Sequence, residues 1–289
     1  MKRWLATFTI LLIASFASAA VRAKSATFHT SDHVALHYLE AGSGPAIVFI
    51  PGWTMPADIF ESQINELSKQ FHVVALDPRS QGDSEKTADG NTLERHAQDI
   101  KELIADLQLH DVVLVGWSNG VPDVLSFVEQ NGTADARGLV LVDGVVNVSD
   151  SQMQKGMGNM LKAFQADRPK FTDGFVRGMY KSHQTEDYIT HVKEAALKTP
   201  TNTAVVEIFN VVSKGDFTPI LAKVDKPVLY ICQPQLEAQG QLVQKSIPNA
   251  RVEVFKSSGH ALFVDEAEHF NKVLAEFVSS LPAAARNNQ

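Results

Sequence analysis

The feature that most constrains the fold is an apolar run, residues 112–115, followed directly by Gly-Trp-Ser-Asn-Gly at residues 116–120. Four consecutive apolar residues are typical of a buried strand, and Gly-x-Ser-x-Gly between a strand and a helix is the pattern of a nucleophile elbow. A serine on so sharp a turn needs neighbours without side chains, because the strained backbone brings segments of chain close together. Gly116 and Gly120 meet that need. The same letters also describe an ordinary glycine-serine turn, so the interpretation depends on the rest of the chain.

Strands and helices alternate on both sides of this run. Short apolar runs at residues 46–50, 71–76, 138–142 and 228–232 predict buried strands, and amphipathic stretches that predict helices separate most of them. Such alternation predicts a parallel sheet with right-handed crossovers. Residues 149–216 interrupt it with an all-helical pattern that contains several methionines and phenylalanines. We interpret this stretch as a lid inserted into a single sheet domain.

The N-terminus has the pattern of a secretory signal peptide. Lys2 and Arg3 precede an apolar run at residues 5–16, which is followed by small residues with Ala-x-Ala spacing. The run is shorter than the roughly 20 residues that a membrane span needs, so we predict cleavage near Ala19 rather than a permanent anchor. The expected location is therefore periplasmic or secreted. Cys232 is the single cysteine, so an exported chain has to fold without an internal disulfide.

The composition argues against several classes of partner. The formal net charge is -7 and no block of lysine or arginine occurs, so nothing predicts nucleic-acid binding. A single cysteine excludes a site of paired thiolates, and the glycines of the elbow do not follow Gly-x-Gly-x-x-Gly. We therefore predict no metal centre, no cofactor and no stable membrane span in the mature chain. A small molecule is the predicted partner.

The positions that follow the predicted strands carry the residue types of nucleophilic catalysis. In parallel α/β sheets, ligands bind beyond the carboxyl ends of the strands. A serine hydroxyl is a weak nucleophile, so it needs a base within hydrogen-bond reach and a group that fixes the tautomer of that base. The positions in question hold Gly52, Trp53, Asp77, Ser118, Asp143, residues 233–237 and His260.

Four motifs occur in an order that resembles the α/β-hydrolase superfamily over nearly all of the mature chain. They are the elbow, Pro-Gly-Trp at residues 51–53, Asp-x-Arg-x-x-Gly-x-Ser at residues 77–84, and Gly-His at residues 259–260 before the last helix. The resemblance implies an α/β fold with a mostly parallel eight-stranded sheet, flanking helices and a helical lid insertion. The predicted units are a signal peptide (1–19), a first part of the core (20–148), the lid (149–217) and a second part of the core (218–289).

The resemblance also implies roles for individual residues. Ser118 is the expected nucleophile and His260 the expected general base. The family forms its oxyanion hole from backbone N–H groups after the nucleophile and after the third strand, which here are those of Asn119 and Trp53. Arg79 is expected to make bidentate pairs that brace its loop rather than to act in catalysis.

The acid of the expected triad is where this chain departs from the family. Relatives usually carry Gly-x-x-Asp after the seventh strand, but residues 233–236 read Gln-Pro-Gln-Leu. Asp143, at the end of the sixth strand and beside the elbow strand, is one replacement. Glu237, one or two positions later than the usual acid, is the other. We favour Asp143, with Glu237 as the alternative acid.

These residues predict a serine hydrolase that cleaves a carboxylic ester or lactone through an acyl-enzyme on Ser118. A serine at the elbow, instead of an aspartate, argues against haloalkane dehalogenases and epoxide hydrolases, which form an ester on a carboxylate. Three alternatives stay open: a C–C bond or amide hydrolase with the same triad, a cofactor-free haloperoxidase or perhydrolase, and a non-catalytic ligand-binding module on the hydrolase scaffold.

Overall fold

A mixed sheet organises the part of the chain that the structure, a computed structural model, describes, which is residues 23–282. Its eight strands lie in the order β1-β2-β4-β3-β5-β6-β7-β8. β2 pairs antiparallel with β1 and β4, and all pairs from β4 to β8 are parallel. The strands are β1 Lys24–His29, β2 Ala35–Ala41, β3 Ala46–Ile50, β4 His72–Leu76, β5 Val112–Trp117, β6 Ala136–Val142, β7 Val228–Cys232 and β8 Arg251–Val254. The predicted mostly parallel eight-stranded sheet is confirmed.

Helices cover both faces of this sheet because its central strands are apolar on both sides. In β5, Val112 and Leu114 point into one hydrophobic core, and Val113 and Val115 point into the other. The helices are α1 Glu61–Leu67, α2 Leu93–Asp106, α3 Gly120–Asn131, α4 Ser151–Ala166, α5 Arg168–Gly178, α6 Glu186–Lys198, α7 Thr201–Lys214, α8 Thr218–Leu221, α9 Glu237–Ser246, α10 Leu262–Asp265 and α11 Ala267–Ser280. None of the helices in this described part is long and apolar enough to cross a membrane.

Four consecutive helices, α4 to α7, form an insertion between β6 and β7. A short antiparallel bridge between Asn147 and Asp216 closes its base, and the backbone N–H of Phe217 donates to the carbonyl of Val146 at 2.9 Å. Residues 151–214 contain no strand, as the helical pattern predicted. The bridge lies close to the predicted lid boundaries, 149 and 217. The predicted signal peptide, residues 1–19, lies outside the described residues and stays a prediction.

Arg79 braces the loop after β4, as expected from the sequence. Its side chain is buried and makes two bonds to Asp99, from Nε to Oδ2 at 3.0 Å and from Nη2 to Oδ1 at 2.9 Å. A second carboxylate, Asp32, lies 2.9 Å from Nη1. Burial opposes the charge of Arg79, but these two carboxylates outweigh it and hold the pKa of the guanidinium above its usual value. These contacts therefore hold the loop in place at the carboxyl end of β4.

Candidate active site

Ser118 lies on the turn between β5 and α3 in a backbone conformation that few non-glycine residues adopt. Its φ is +54°, and its N–H donates to the carbonyl of Val142 at 2.8 Å. The flanking glycines are required by space: a Cβ on Gly116 would collide with the carbonyl of Gly120, and one on Gly120 with the carbonyl of Ile50. The strained turn is therefore held by close backbone packing on two sides.

Ser118, His260 and Asp143 form a continuous line of hydrogen bonds. The Oγ of Ser118 lies 2.8 Å from Nε2 of His260, and Nδ1 of His260 lies 2.7 Å from Oδ2 of Asp143. Because an ionised carboxylate can only accept, this network assigns the ring proton to Nδ1 and leaves Nε2 to accept the serine proton. The Asp143 side chain is fully buried, while that of His260 is 24% exposed. The histidine therefore faces the space from which a substrate would arrive.

Gln233 holds the Asp143 carboxylate with two hydrogen bonds, one to each oxygen. Its backbone N–H donates to Oδ1 at 2.7 Å, and its side-chain Nε2 donates to Oδ2 at 2.9 Å. Both carboxylate oxygens thus have partners besides His260. The sequence reasoning missed this contact because it looked for an acid after β7. An amide donor at the start of a turn that lacks the usual carboxylate is the signal that could have revealed it.

Glu237, the alternative acid, does not take part in this network. It is exposed as the first residue of α9, and within residues 23–282 it makes no hydrogen bond to His260. Leu236, which precedes it, lines the cavity beside Ser118 instead. Gln239 on the same helix holds the segment after β6: its Oε1 accepts the N–H of Val146 at 2.8 Å. The turn after β7 therefore supports Asp143 and supplies no carboxylate of its own.

The loop that carries His260 is anchored to both the core and the insertion. The indole Nε1 of Trp117 donates to the carbonyl of His260 at 3.0 Å, and the N–H of Ala261 donates to the carbonyl of Met179 at 3.0 Å. Asp265 accepts the N–H of Gly259 at 2.7 Å and that of Lys181, in the insertion, at 2.9 Å. Burial alone would raise the pKa of Asp265, but these hydrogen bonds outweigh it and the pKa is lowered. A charged Asp265 therefore links the histidine loop to the insertion.

The two predicted oxyanion-hole residues, Trp53 and Asn119, both line the cavity next to Ser118. Among the bonds found within the described residues, none is donated by the backbone N–H of either residue. The side chain of Trp53 has a separate contact, because its Nε1 donates to the carbonyl of Ala204 in α7 at 2.7 Å. Its ring also packs 4.9 Å from that of Phe164 in α4. Trp53 thus joins the turn after β3 to the insertion.

A cavity of about 330 Å³ opens beside the serine and extends under the insertion. Met153, Met157 and Met160 recur along one face of α4 and form part of its wall. The remaining apolar lining comes from Trp53, Pro122, Val145, Phe175, Ile208, Val211 and Leu236. A larger surface hollow of about 920 Å³ between α1 and α11 is lined mainly by charged and amide side chains and contains none of the predicted site residues.

One group of side chains within the described residues has the composition of a metal site: His37, Asp77 and Asp83. Nδ1 of His37 lies 2.7 Å from Oδ2 of Asp77, and that oxygen also accepts the N–H of Asp83 at 2.8 Å. Asp83 is paired in turn with Lys198 at 2.7 Å. Hydrogen bonds and an ion pair already occupy these groups, and their evident role is to hold the loop after β4.

The chain is similar to known proteins over most of its length. A family model described as the alpha/beta hydrolase fold matches residues 45–267. The non-heme chloroperoxidase CPO-A1 of Kitasatospora aureofaciens is 27% identical over 269 residues, which cover 86% of this chain and 98% of that protein. The bifunctional esterase/perhydrolase DCH of Acinetobacter calcoaceticus is 24% identical over 272 residues, with coverages of 87% and 98%. The solved structure of the esterase EaEST from Exiguobacterium antarcticum has a TM-score of 0.81 at 22% identity, and the match covers 89% of this chain and 100% of that one.

Proposed function

The chain belongs to the alpha/beta hydrolase family, and from that premise we propose that it is a serine hydrolase that cleaves a carboxylic ester or lactone. The observation that carries the proposal is the hydrogen-bonded line from Ser118 through His260 to Asp143, with distances of 2.8 and 2.7 Å. A nucleophile, a base and an orienting carboxylate in this arrangement are what acyl transfer requires. The apolar cavity beside the serine supplies the space for a neutral substrate.

In the proposed reaction, Oγ of Ser118 attacks the substrate carbonyl while Nε2 of His260 takes the hydroxyl proton. The imidazolium then gives this proton to the leaving alcohol oxygen, which for a lactone stays attached to the acyl group. Water enters next, loses a proton to His260 and attacks the acyl-enzyme, and the proton returns to Ser118 as the acid leaves. Asp143 stays ionised and stabilises the imidazolium in both halves of the reaction.

The backbone N–H groups of Trp53 and Asn119 are the proposed donors to the oxyanion. Their support is the position of both residues on the cavity wall next to Ser118 and the absence of other acceptors for them in the described part of the chain. A donor that is already free needs no reorganisation when the negative charge develops on the carbonyl oxygen. The contact of the Trp53 indole with Ala204 keeps this turn in place beneath the insertion.

Ser118→Ala tests the proposal directly. We expect hydrolysis of p-nitrophenyl butyrate and of a simple lactone to fall by at least about 10³-fold, because the acyl group then has no nucleophile to which it can be transferred. Ser62→Ala, an exposed serine in α1, is the matched control and should keep the activity of the wild type. Turnover that survives in Ser118→Ala at equal foldedness contradicts the proposal.

Perhydrolysis is a second candidate, because relatives over nearly the whole chain are named a chloroperoxidase and an esterase/perhydrolase. Hydrogen peroxide would replace water in the attack on the acyl-enzyme, releasing a peracid that oxidises halide to hypohalous acid. Peroxide-dependent bromination in acetate buffer measures this activity. If bromination occurs and is lost in Ser118→Ala, the same serine serves both reactions, and if only ester hydrolysis occurs, the second candidate falls.

A further inference from the structure

The cavity at the triad and a second hollow have two lining side chains in common. The second hollow, of about 530 Å³, lies on the outer side of α4 and α5. Of the residues described, Met160 and Phe175 are the ones that line both hollows, and both are only partly buried. The inner and outer hollows therefore share a wall made of one thioether chain and one aromatic ring.

We infer that the two hollows form a single binding site for a long apolar tail of the substrate, which passes between Met160 and Phe175. The inference rests on the proposed function and specifies its substrate class: a neutral ester or lactone whose alkyl tail is too long for the inner cavity. A cavity of about 330 Å³ has room for on the order of ten heavy atoms if each takes the ~30 Å³ of one water. A longer tail reaches the wall between the hollows.

The lining determines the chemistry of the tail. In the inner cavity the one charged side chain is Asp143, and its oxygens are already bound by His260 and Gln233. A charged tail would lose its hydration there without gaining a partner, which is costly. The surface of the outer hollow is also mainly apolar, with Phe171 stacked 5.8 Å from Phe175 on one wall, and two charged residues, Asp167 and Lys170, belong to its lining. An alkyl chain is the occupant that both linings fit.

The wall between the two hollows is formed by a flexible side chain, Met160, on a helix with few buried side chains. Methionine is flexible and fills irregular space, so Met160 can change rotamer at little cost. Helix α4, which carries it, buries a single side chain, Phe164. Its interior glycines, Gly156 and Gly158, have nothing within 4 Å of where a Cβ would lie. Few buried contacts and a low helix propensity are the properties of a segment that opens at low free energy.

Blocking the outer hollow tests the inference. Gly174 lines the outer hollow but not the inner cavity and has open space around it, so we expect Gly174→Trp to fill the outer hollow. The matched control is Gly178→Trp, at the end of the same helix, where the space is also open and the residue lines neither the inner cavity nor the outer hollow. We compare kcat/KM for p-nitrophenyl esters of two to fourteen acyl carbons and for acetates of alcohols of the same lengths, below their micellar concentrations.

The quantity to compare is the kcat/KM for a twelve-carbon tail divided by that for a four-carbon tail. In at least one of the two series of esters, Gly174→Trp should lower this ratio by about tenfold or more. That factor corresponds to about 1.4 kcal/mol of lost binding in the transition state. Gly178→Trp should leave the ratio at the wild-type value. The inference is overturned if Gly174→Trp changes neither ratio, or if wild-type activity in both series ends at tails that the inner cavity holds by itself.

Binding to an inactive variant separates this inference from the proposed function. Calorimetric titration of Ser118→Ala with p-nitrophenyl dodecanoate should detect binding, and Gly174→Trp in that background should weaken it at least about tenfold, which Gly178→Trp should not. If the wild type hydrolyses no ester but this pattern of binding holds, the proposed function fails and the tail site stands. If esters are cleaved by way of Ser118 but binding is indifferent to Gly174, the tail site fails alone.

Discussion

Glycine occurs in two regions of this molecule for opposite reasons. At the carboxyl ends of the strands, a Cβ on any of four glycines would collide with a neighbouring segment, and those glycines are Gly52, Gly116, Gly120 and Gly144. In the first half of the insertion, four other glycines have nothing within 4 Å of a Cβ position, namely Gly156, Gly158, Gly174 and Gly178. The first set lets neighbouring segments of chain pack in direct contact, and the second set weakens the helices that contain it.

This contrast divides the site into two halves. The rigid half is the set of strand ends around Ser118, and the yielding half is formed by α4 and α5 of the insertion. Around Ser118, tight packing holds a strained turn in one conformation, as a preorganised nucleophile requires. Across the cavity, α4 and α5 bury few side chains, and each interior glycine costs a helix about 1 kcal/mol relative to alanine. We therefore expect the geometry of the proposed triad to depend on the strand ends and the fit of the proposed substrate to depend on the insertion.

We expect the largest effect on activity from a substitution of Asp143, the proposed acid, which lies in the rigid half. Asp143→Asn should lower kcat for a short ester by about 10³- to 10⁴-fold, because the amide can hold the imidazole in the wrong tautomer and cannot stabilise the imidazolium. Glu237→Gln is the control, since that side chain is exposed on α9, and it should keep nearly full activity. Steady-state kinetics at matched circular dichroism decide between them. Collapse of kcat in Glu237→Gln alone would reverse the assignment of the acid.

A matched pair of glycine substitutions tests the contrast itself. Gly120→Ala places a methyl group against the carbonyls of Ile50 and Pro51, and we expect it to cost about 3 kcal/mol of unfolding free energy because backbone cannot move aside easily. Gly156→Ala in α4 should instead stabilise the protein by about 0.5–1 kcal/mol. Urea denaturation followed by circular dichroism measures both. Equal effects of the two substitutions would remove the distinction between the regions.

We expect a smaller effect on activity from a substitution of Gln233, which also lies in the rigid half. Gln233→Ala removes the side-chain donor to Asp143, while the backbone donor of residue 233 stays in place. We expect kcat to fall about tenfold, the value of one hydrogen bond to a charged group, with little change in KM because no substrate contact is lost. The exposed neighbour Gln235 provides the control variant Gln235→Ala. A rise in KM at unchanged kcat would show that Gln233 contacts the substrate instead of positioning the acid.

The second half of the insertion, α6 and α7, buries more side chains than the first, and one of them, Glu207, together with His96 of α2, makes stability depend on pH. Burial raises the pKa of Glu207, in α7, to about 8. Burial alone would lower the pKa of His96, but the Asp123 carboxylate outweighs it and the pKa rises to about 9. The stabilisation from Glu207 is complete below its ordinary pKa of 4.5 and is lost as the pH rises through 8, and that from His96 is complete below 6.5 and is lost through 9.

Stability should therefore fall as the pH rises, between 4.5 and about 8 through Glu207 and between 6.5 and about 9 through His96. Glu207→Gln should reduce the slope of unfolding free energy against pH, between pH 6 and 8, by up to about 1.4 kcal/mol per unit. Glu194→Gln, an exposed position in α6, should leave the slope as it is. Urea midpoints collected across this pH range provide the measurement. An unchanged slope in Glu207→Gln would mean that the carboxyl group of Glu207 is ionised throughout the range.

The strand ends were predictable from the sequence because their signals are local. Apolar runs mark the central strands, the elbow has a fixed spacing, and the lack of a carboxylate at residues 233–236 directed attention to Asp143. The contacts that complete the site were not predictable, because they join residues far apart in the chain. Trp53 reaches Ala204 across 151 positions, and Gln233 reaches Asp143 across 90.

The insertion was predictable only as helical. The boundaries between its helices coincide with capping residues, which can be recognised once the helix ends are known. Asp150, for example, accepts the N–H groups of Gln152 and Met153. The burial of Glu207 has no sequence signal, because periodicity assigns a glutamate to the exposed face of a helix. Whether a glycine lies in the rigid or the yielding half depends on the space around it, and that space cannot be predicted from the amino-acid composition.

The most direct test of the account is the rate at which a fluorophosphonate labels the folded protein, with the labelled peptide identified by mass spectrometry. We predict one adduct, on Ser118, with labelling slowed at least about 100-fold in Asp143→Asn and unchanged in Glu237→Gln. Absence of an adduct on Ser118 in folded wild-type protein would contradict the serine-hydrolase account and favour a non-catalytic ligand-binding module. Labelling that slows in Glu237→Gln but not in Asp143→Asn would contradict the proposed triad.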